Sequence, residues 1–232
     1  KFVISKGCIK NPLVYIVLNG LMNVFLIFLL PFVDIEFLKF TDFLIALISG
    51  ITFSAAVTIY YKAVQYDEIS RVVMLNQFNS IFVLVLSFLF LKEVLIKNHF
   101  VGFLFLISAG VIVSYKRVEK SFKLSNAFYY MLISTFLGAI SAVAAKHIFS
   151  VVNFWSAFIW LRLMAFTALG VLITPSIRHE FTQTFKSMKN KIKALLSFKM
   201  IIDFSALTFA GYALMKGPTS LVAALSSSVL PL

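Results

Sequence analysis

The feature that most constrains this chain is a succession of apolar runs, each close to the length of a bilayer crossing, with almost no charge inside them. A helix needs about 20 apolar residues to span the hydrocarbon core. Residues 12–33, 43–61, 72–91, 100–115, 127–145, 152–174 and 200–215 form seven such runs, and an eighth begins near residue 218. The run 100–115 is short and is lengthened by the snorkelling of Lys116. Lipid tolerates only helices and closed barrels, and these runs lack the alternation of barrel strands. The sequence predicts an all-α fold, a polytopic membrane helix bundle with short loops.

Composition agrees. Of the 232 residues, 61% are hydrophobic and only 13% charged, with a mean hydropathy of +0.98. A compact soluble domain of this length could not hide so much apolar surface behind a polar skin. An ordinary soluble enzyme, a secreted disulfide scaffold and a disordered chain are therefore excluded. The single cysteine, Cys8, rules out an intrachain disulfide and a Cys-based metal cluster. The net charge is +12. In a soluble protein that would suggest nucleic acid. Here the basic residues lie between apolar runs, which suits anionic lipid headgroups instead. The expected partners are membrane lipids and a small-molecule substrate, with a homodimer as an option and no nucleic acid. The expected location is the plasma membrane. The start at Lys1 and the stop at Leu232 inside an apolar run read as an internal piece of a longer protein.

Loops on alternate sides carry unequal charge. The set before residue 12, at 62–71, after 115 and after 174 holds 15 Lys and Arg, against 5 in the other set. The positive-inside rule places the first set in the cytoplasm. The one long loop, 176–199, spaces Phe181, Phe185, Met188, Ile192 and Leu195 by three and four, with Lys186, Lys189, Lys191 and Lys193 largely elsewhere around the helix. That pattern predicts an amphipathic helix on a membrane surface.

An internal repeat is visible. Residues 63–75 and 213–225 share Ala, Ser, Val and Leu at a constant offset of 150, and each joins one span to the next. The first joins spans two and three, the second spans seven and eight. An offset of five spans is odd, so the two copies lie inverted in the membrane, the architecture of many secondary transporters.

These segments also carry a resemblance. Tyr61-Lys62-Ala63, Glu68-Ile69-Ser70-Arg71-Val72 and Leu91-Lys92-Glu93 resemble the EamA-like family of the drug/metabolite transporter superfamily, and 217–225 looks like the same signature in the second half. The resemblance implies ten helices in two inverted five-helix repeats. On that map residues 1–123 are the first repeat without its first helix, and 124–232 the second, truncated in its fourth. It implies a permease for a small organic metabolite or drug working by alternating access, with no catalysis and no cofactor. Two departures stand out. The family's usual cytoplasmic termini would put 176–199 outside, opposite to the charge count. Ser80 stands where the family often has a proline, which the second copy keeps at Pro231.

Polar groups inside spans are expensive and need an explanation. Asn76, Gln77 and Asn79 fall within one turn of span three and can line a solute cavity or bond between helices. Arg162 lies near the middle of span six, with Trp160 nearby in sequence, and Asp203 in span seven is its candidate partner, a bound anion being the alternative. Ser226 opens the matching stretch of span eight. These seven are the candidate substrate-binding residues. Asn19 and Asn23 share a face of span one. Ser134, Gly138, Ser141 and Ala145 share a face of span five that reads as helix packing. Lys62 and Lys146 read as snorkelling anchors at helix ends. There is no Walker loop, dinucleotide fingerprint, nucleophile elbow or zinc-protease motif. The rival readings are a seven-helix receptor or photoreceptor with Lys216 as a Schiff-base lysine, and a membrane lipid enzyme.

Overall fold

Apolar sequence in lipid must satisfy its own backbone, and this chain does so in helices. The computed structural model describes residues 12–21, 23, 33–67, 72, 73, 75–93, 101, 102, 105, 126–166, 174–188 and 190–229. Its helices are α1 (Pro12–Leu21), α2 (Phe40–Tyr66), α3 (Phe78–Leu91), α4 (Asn126–Val151), α5 (Phe154–Ala165), α6 (Pro175–Ser187), α7 (Asn190–Lys216) and α8 (Thr219–Val229). No strand occurs among the described residues. The all-helical bundle predicted from the sequence is what forms. α2, α4 and the stretch Ile192–Lys216 of α7 are long and apolar enough to cross a membrane. At 1.5 Å per residue, the 27 residues of α2 extend about 40 Å, beyond a core of about 30 Å.

α2 and α4 form the spine and run antiparallel. Asp42 meets His147, Ser49 meets Ser141, Ser134 donates to the Ala56 carbonyl, and Tyr66 stacks on Tyr130. The partners rise along one helix as they fall along the other. Ser134 and Ser141 thus use the small-residue face of α4 as the sequence suggested, to let two backbones approach. Thr52, Ser54 and Thr58 return their hydroxyls to carbonyls four residues back, at 2.7, 2.8 and 2.7 Å. Such local bonds let a hydroxyl sit in a span at little cost.

α5 runs parallel to α2. A Cβ on Gly50 would lie 2.5 Å from the Met164 backbone, so only glycine allows this crossing. The 34–39 segment is laced to the start of α5. Asn153 caps the helix by accepting from the Ser156 amide at 2.8 Å and donates its own amide to Glu36 at 2.8 Å. The Glu36 amide donates to Ser156 Oγ at 2.9 Å. α3 and α8 run antiparallel, since Glu93 beyond the end of α3 meets Thr219 at the start of α8. α4 and α7 run parallel, with Lys146 reaching Leu214 near both C-terminal ends. Each direction is the one that alternate crossing of a membrane requires.

Three expectations change. Span three is not one helix over 72–91. It is interrupted at Asn76–Gln77, and α3 starts at Phe78. Amides compete with the backbone for hydrogen bonds, and the chain tightens here to i−3 bonds, Asn79 to Asn76 at 3.0 Å and Ser80 to Gln77 at 3.1 Å. Span seven begins ten residues earlier than hydropathy suggested, because α7 is continuous from Asn190. The amphipathic stretch 176–199 is consequently divided. Its first part is α6, which ends at Ser187, and its second is the start of α7. Met188 and Phe181 pack against Val14 and Leu21 of α1 and against Ile192, Leu196 and Met200 of α7. Most of the span 100–115, Gly110 within it, residues 24–32, 68–71, 167–173, Pro231 and the side chain of Asn19 lie outside the described residues.

Candidate functional site

The interrupted span supplies the most chemically distinctive place in the bundle. Asn76 and Gln77 occupy the turn, and Asn79 and Ser80 open α3. Asn79 Oδ1 is buried with no hydrogen-bond donor among the described residues. It lies against α4 where Gly138 leaves space, since a Cβ there would stand 3.2 Å from the oxygen. A buried carbonyl oxygen without a donor carries the full cost of desolvation, about 1–3 kcal/mol. A break in a membrane helix with an unmet acceptor beside it can accept a hydrogen bond from a polar solute.

Arg162 occupies a second place, on the seam between α2 and α5. Its guanidinium lies 5.7 Å from the ring centre of Phe53 and 5.6 Å from that of Phe158. Nε is buried without an acceptor among the described residues. Among the described residues no carboxylate pairs with it. Aromatic faces attract a cation but accept no directed hydrogen bond of the strength a carboxylate or phosphate provides. The expected counter-ion, Asp203, is instead paired with Lys199, one turn earlier on α7.

The remaining candidates are engaged elsewhere. Trp160 donates Nε1 to the Glu36 carbonyl at 3.0 Å and packs edge-on against Phe43. It thereby holds the 34–39 segment to α5. Ser226 is exposed on α8 and donates to the Ala223 carbonyl at 3.0 Å. Asn23 is buried, and its Oδ1 has no donor among the described residues. The seven candidates therefore do not form one cluster. Asn76, Gln77 and Asn79 stand together at the break, and Arg162 stands apart from Asp203. Lys216, the Schiff-base candidate of the photoreceptor reading, is exposed at the last residue of α7.

Two charged residues do more than the sequence suggested. Lys146 donates to the carbonyls of Leu214, Met215 and Gly217 at 2.7, 3.1 and 2.9 Å. It caps the C-terminal end of α7 and is not a simple snorkelling anchor. Glu93 accepts from the Thr219 amide at 3.1 Å and from its hydroxyl at 2.6 Å. The signal for the second contact was partly present, since Gly217-Pro218-Thr219-Ser220 is a stop followed by a helix start.

The comparisons with known proteins agree with the first half of this architecture. The model of the EamA-like transporter family matches residues 2–115. No curated protein and no solved structure matches the chain.

Proposed function

Residues 2–115 place this chain in the EamA-like transporter family, a family of integral membrane transporters, and from that premise we propose that it is a secondary permease. It moves a small organic metabolite or drug across the plasma membrane by alternating access. The observation that carries this reading is the break of span three at Asn76–Gln77 with the buried, donor-less Asn79 Oδ1 beside it. Solute sites of secondary transporters are built from discontinuous helices near the midplane, where freed polar groups meet the cargo. The antiparallel run of α3 and α8, the helices that follow the two repeat segments, supports inverted rather than parallel repeats. Asn76, Gln77 and Asn79 form the amide side of the site, and Arg162 provides a cation beside aromatic faces. Trp160 holds the 34–39 segment and Asp203 pairs with Lys199, so both act outside the cargo contacts.

Uptake of a panel of labelled organic solutes into proteoliposomes tests the reading. The native protein is expected to accumulate at least one solute, and Asn79→Ala to lower kcat/KM for it about tenfold, the cost of one unmade buried hydrogen bond. Uptake by Asn79→Ala equal to native uptake removes Asn79 from the site. Absence of uptake of any solute removes the permease reading.

A further inference from the structure

The turn between α7 and α8 is gripped from two sides by charges that solute binding does not require. The ammonium of Lys146, on α4, takes three carbonyl oxygens at the end of α7. The carboxylate of Glu93, just past α3, takes the amide and hydroxyl of Thr219, the first residue of α8. Each charge has the sign that its helix end favours, a cation at the C-terminal carbonyls and an anion at the N-terminal amides.

The approach of Glu93 is built into the backbone. Lys92 ends α3 in the left-handed region, at φ 52°, and its amide bonds back to the Ser87 carbonyl. It is the one non-glycine residue with positive φ among the described residues. A lysine is disfavoured there, yet that conformation turns the chain so that Glu93 meets Thr219. Below the turn lies the α3–α4–α8 seam. Val83, Ala139 and Ala223 are buried together there, with Phe82, Leu86 and Ala142 packed against them. The polar grip closes the end of this apolar seam, where the chain passes from α7 to α8.

We propose that Glu93 and Lys146 form a charged latch that holds the α7–α8 turn down and closes the α3–α4–α8 seam at this end of the bundle. The role rests on the permease reading, in which alternating access requires a state where this end opens. Both charges sit at helix ends, where water reaches them once the turn lifts. Opening therefore strands no charge in hydrocarbon, and the latch is reversible. Glu93 comes from the first repeat, while Lys146 and the turn come from the second. The contact thus spans the boundary across which inverted repeats rock.

The test uses the protein in its membrane, with Cys8→Ser and a reporter Ala223→Cys, buried at the seam. A second reporter, Ala63→Cys, is buried at the opposite end of the bundle. Thiol labelling of the Ala223→Cys reporter is expected to be slow in the parent. It should be about tenfold faster in Glu93→Gln and in Lys146→Met, the factor for losing one charge-assisted hydrogen bond. The double variant should label no faster than the more open single one, because either loss opens the same latch. Labelling of the Ala63→Cys reporter should not change. Unchanged labelling of Ala223→Cys in both variants overturns the latch, and so does equal acceleration at both reporters, which marks general loosening. Solute uptake by the same parent vesicles reads the permease function separately. Uptake with unchanged Ala223→Cys labelling sinks the latch alone. Accelerated labelling at Ala223→Cys without any uptake sinks the permease reading and leaves a structural lock.

Discussion

Ser49 and Ser141 are joined twice across the α2–α4 interface. Each hydroxyl donates to the other residue's carbonyl at 3.0 Å, and the two oxygens lie 3.2 Å apart. The exchange occurs between buried residues on the two longest interacting spans, and it fixes their register. Each hydroxyl also has a backbone acceptor that survives replacement of its partner. Ser49→Ala should therefore cost little, about 0.6 kcal/mol, as for typical hydrogen bonds between membrane helices. Ser141→Leu should cost more, about 1–3 kcal/mol, by forcing the backbones apart. Thermal unfolding in detergent measures both, and an alanine effect as large as the leucine effect would contradict close packing as the role of this face.

Gly50 makes a sharper case. Its added Cβ would meet the carbonyl carbon and oxygen of Met164 at 2.5 Å, and these are backbone atoms that cannot rotate away. Gly50→Ala should reduce folded protein more than Ser141→Leu does, because α5 must shift bodily from α2. Gly102→Ala is the control, since a Cβ there meets nothing within 4 Å among the described residues. Comparable yield of the two glycine variants on size-exclusion chromatography would show that the α2–α5 contact is looser than this geometry.

How much of this the sequence made legible depends on the kind of force involved. Spanning helices were legible because each apolar run must satisfy its own backbone in lipid, and that needs no knowledge of neighbours. The start of α7 was not, because Lys191 and Lys193 read as loop by hydropathy. Helix formation follows backbone propensity, and Asn190–Lys199 is the first part of one continuous helix. The pairing of Asp203 was misassigned to Arg162 across helices, although Lys199 stands four residues away on the same face, where local geometry brings side chains together. The break at Asn76–Gln77 was hidden inside an apolar run, though the amides that cause it were visible. Which helix faces which is a tertiary fact, and the Glu93–Thr219 contact, separated by 126 residues, could be read only from the structure.

Arg162 gives a prediction that separates insertion from function. An arginine at the centre of a span costs roughly 2.5–3.5 kcal/mol on insertion scales. Arg162→Leu should therefore insert at least as well as the native chain. If the guanidinium between Phe53 and Phe158 binds cargo, the same variant should lose uptake, and Arg162→Lys should recover it only in part, because a lysine lacks the planar fork. Normal uptake by a well-inserted Arg162→Leu protein would make Arg162 a packing residue.

The last prediction concerns which end of the bundle faces the cytoplasm. Asp34, Glu36, Asp42 and Glu93 gather at one end, joined to the starts of α5 and α8 and to the end of α4. The opposite end holds Lys62 near the end of α2 and the start of α7 with Lys193, beside α6 with Arg178 and Lys186. By sequence, fifteen of the 21 Lys and Arg fall in the loop set predicted for that side. A basic cytoplasmic face is the stronger orientation signal, because acidic residues contribute little to it. In a Cys8→Ser background, Gln183→Cys on the exposed face of α6 should resist an impermeant thiol reagent in intact cells. Phe37→Cys, at a position 87% exposed in the 34–39 segment, should label readily. Permeabilising the cells should make both react. Labelling of the Gln183→Cys protein with protection of the Phe37→Cys protein would reverse the assignment, and would restore the cytoplasmic termini usual in the family that the sequence resembles.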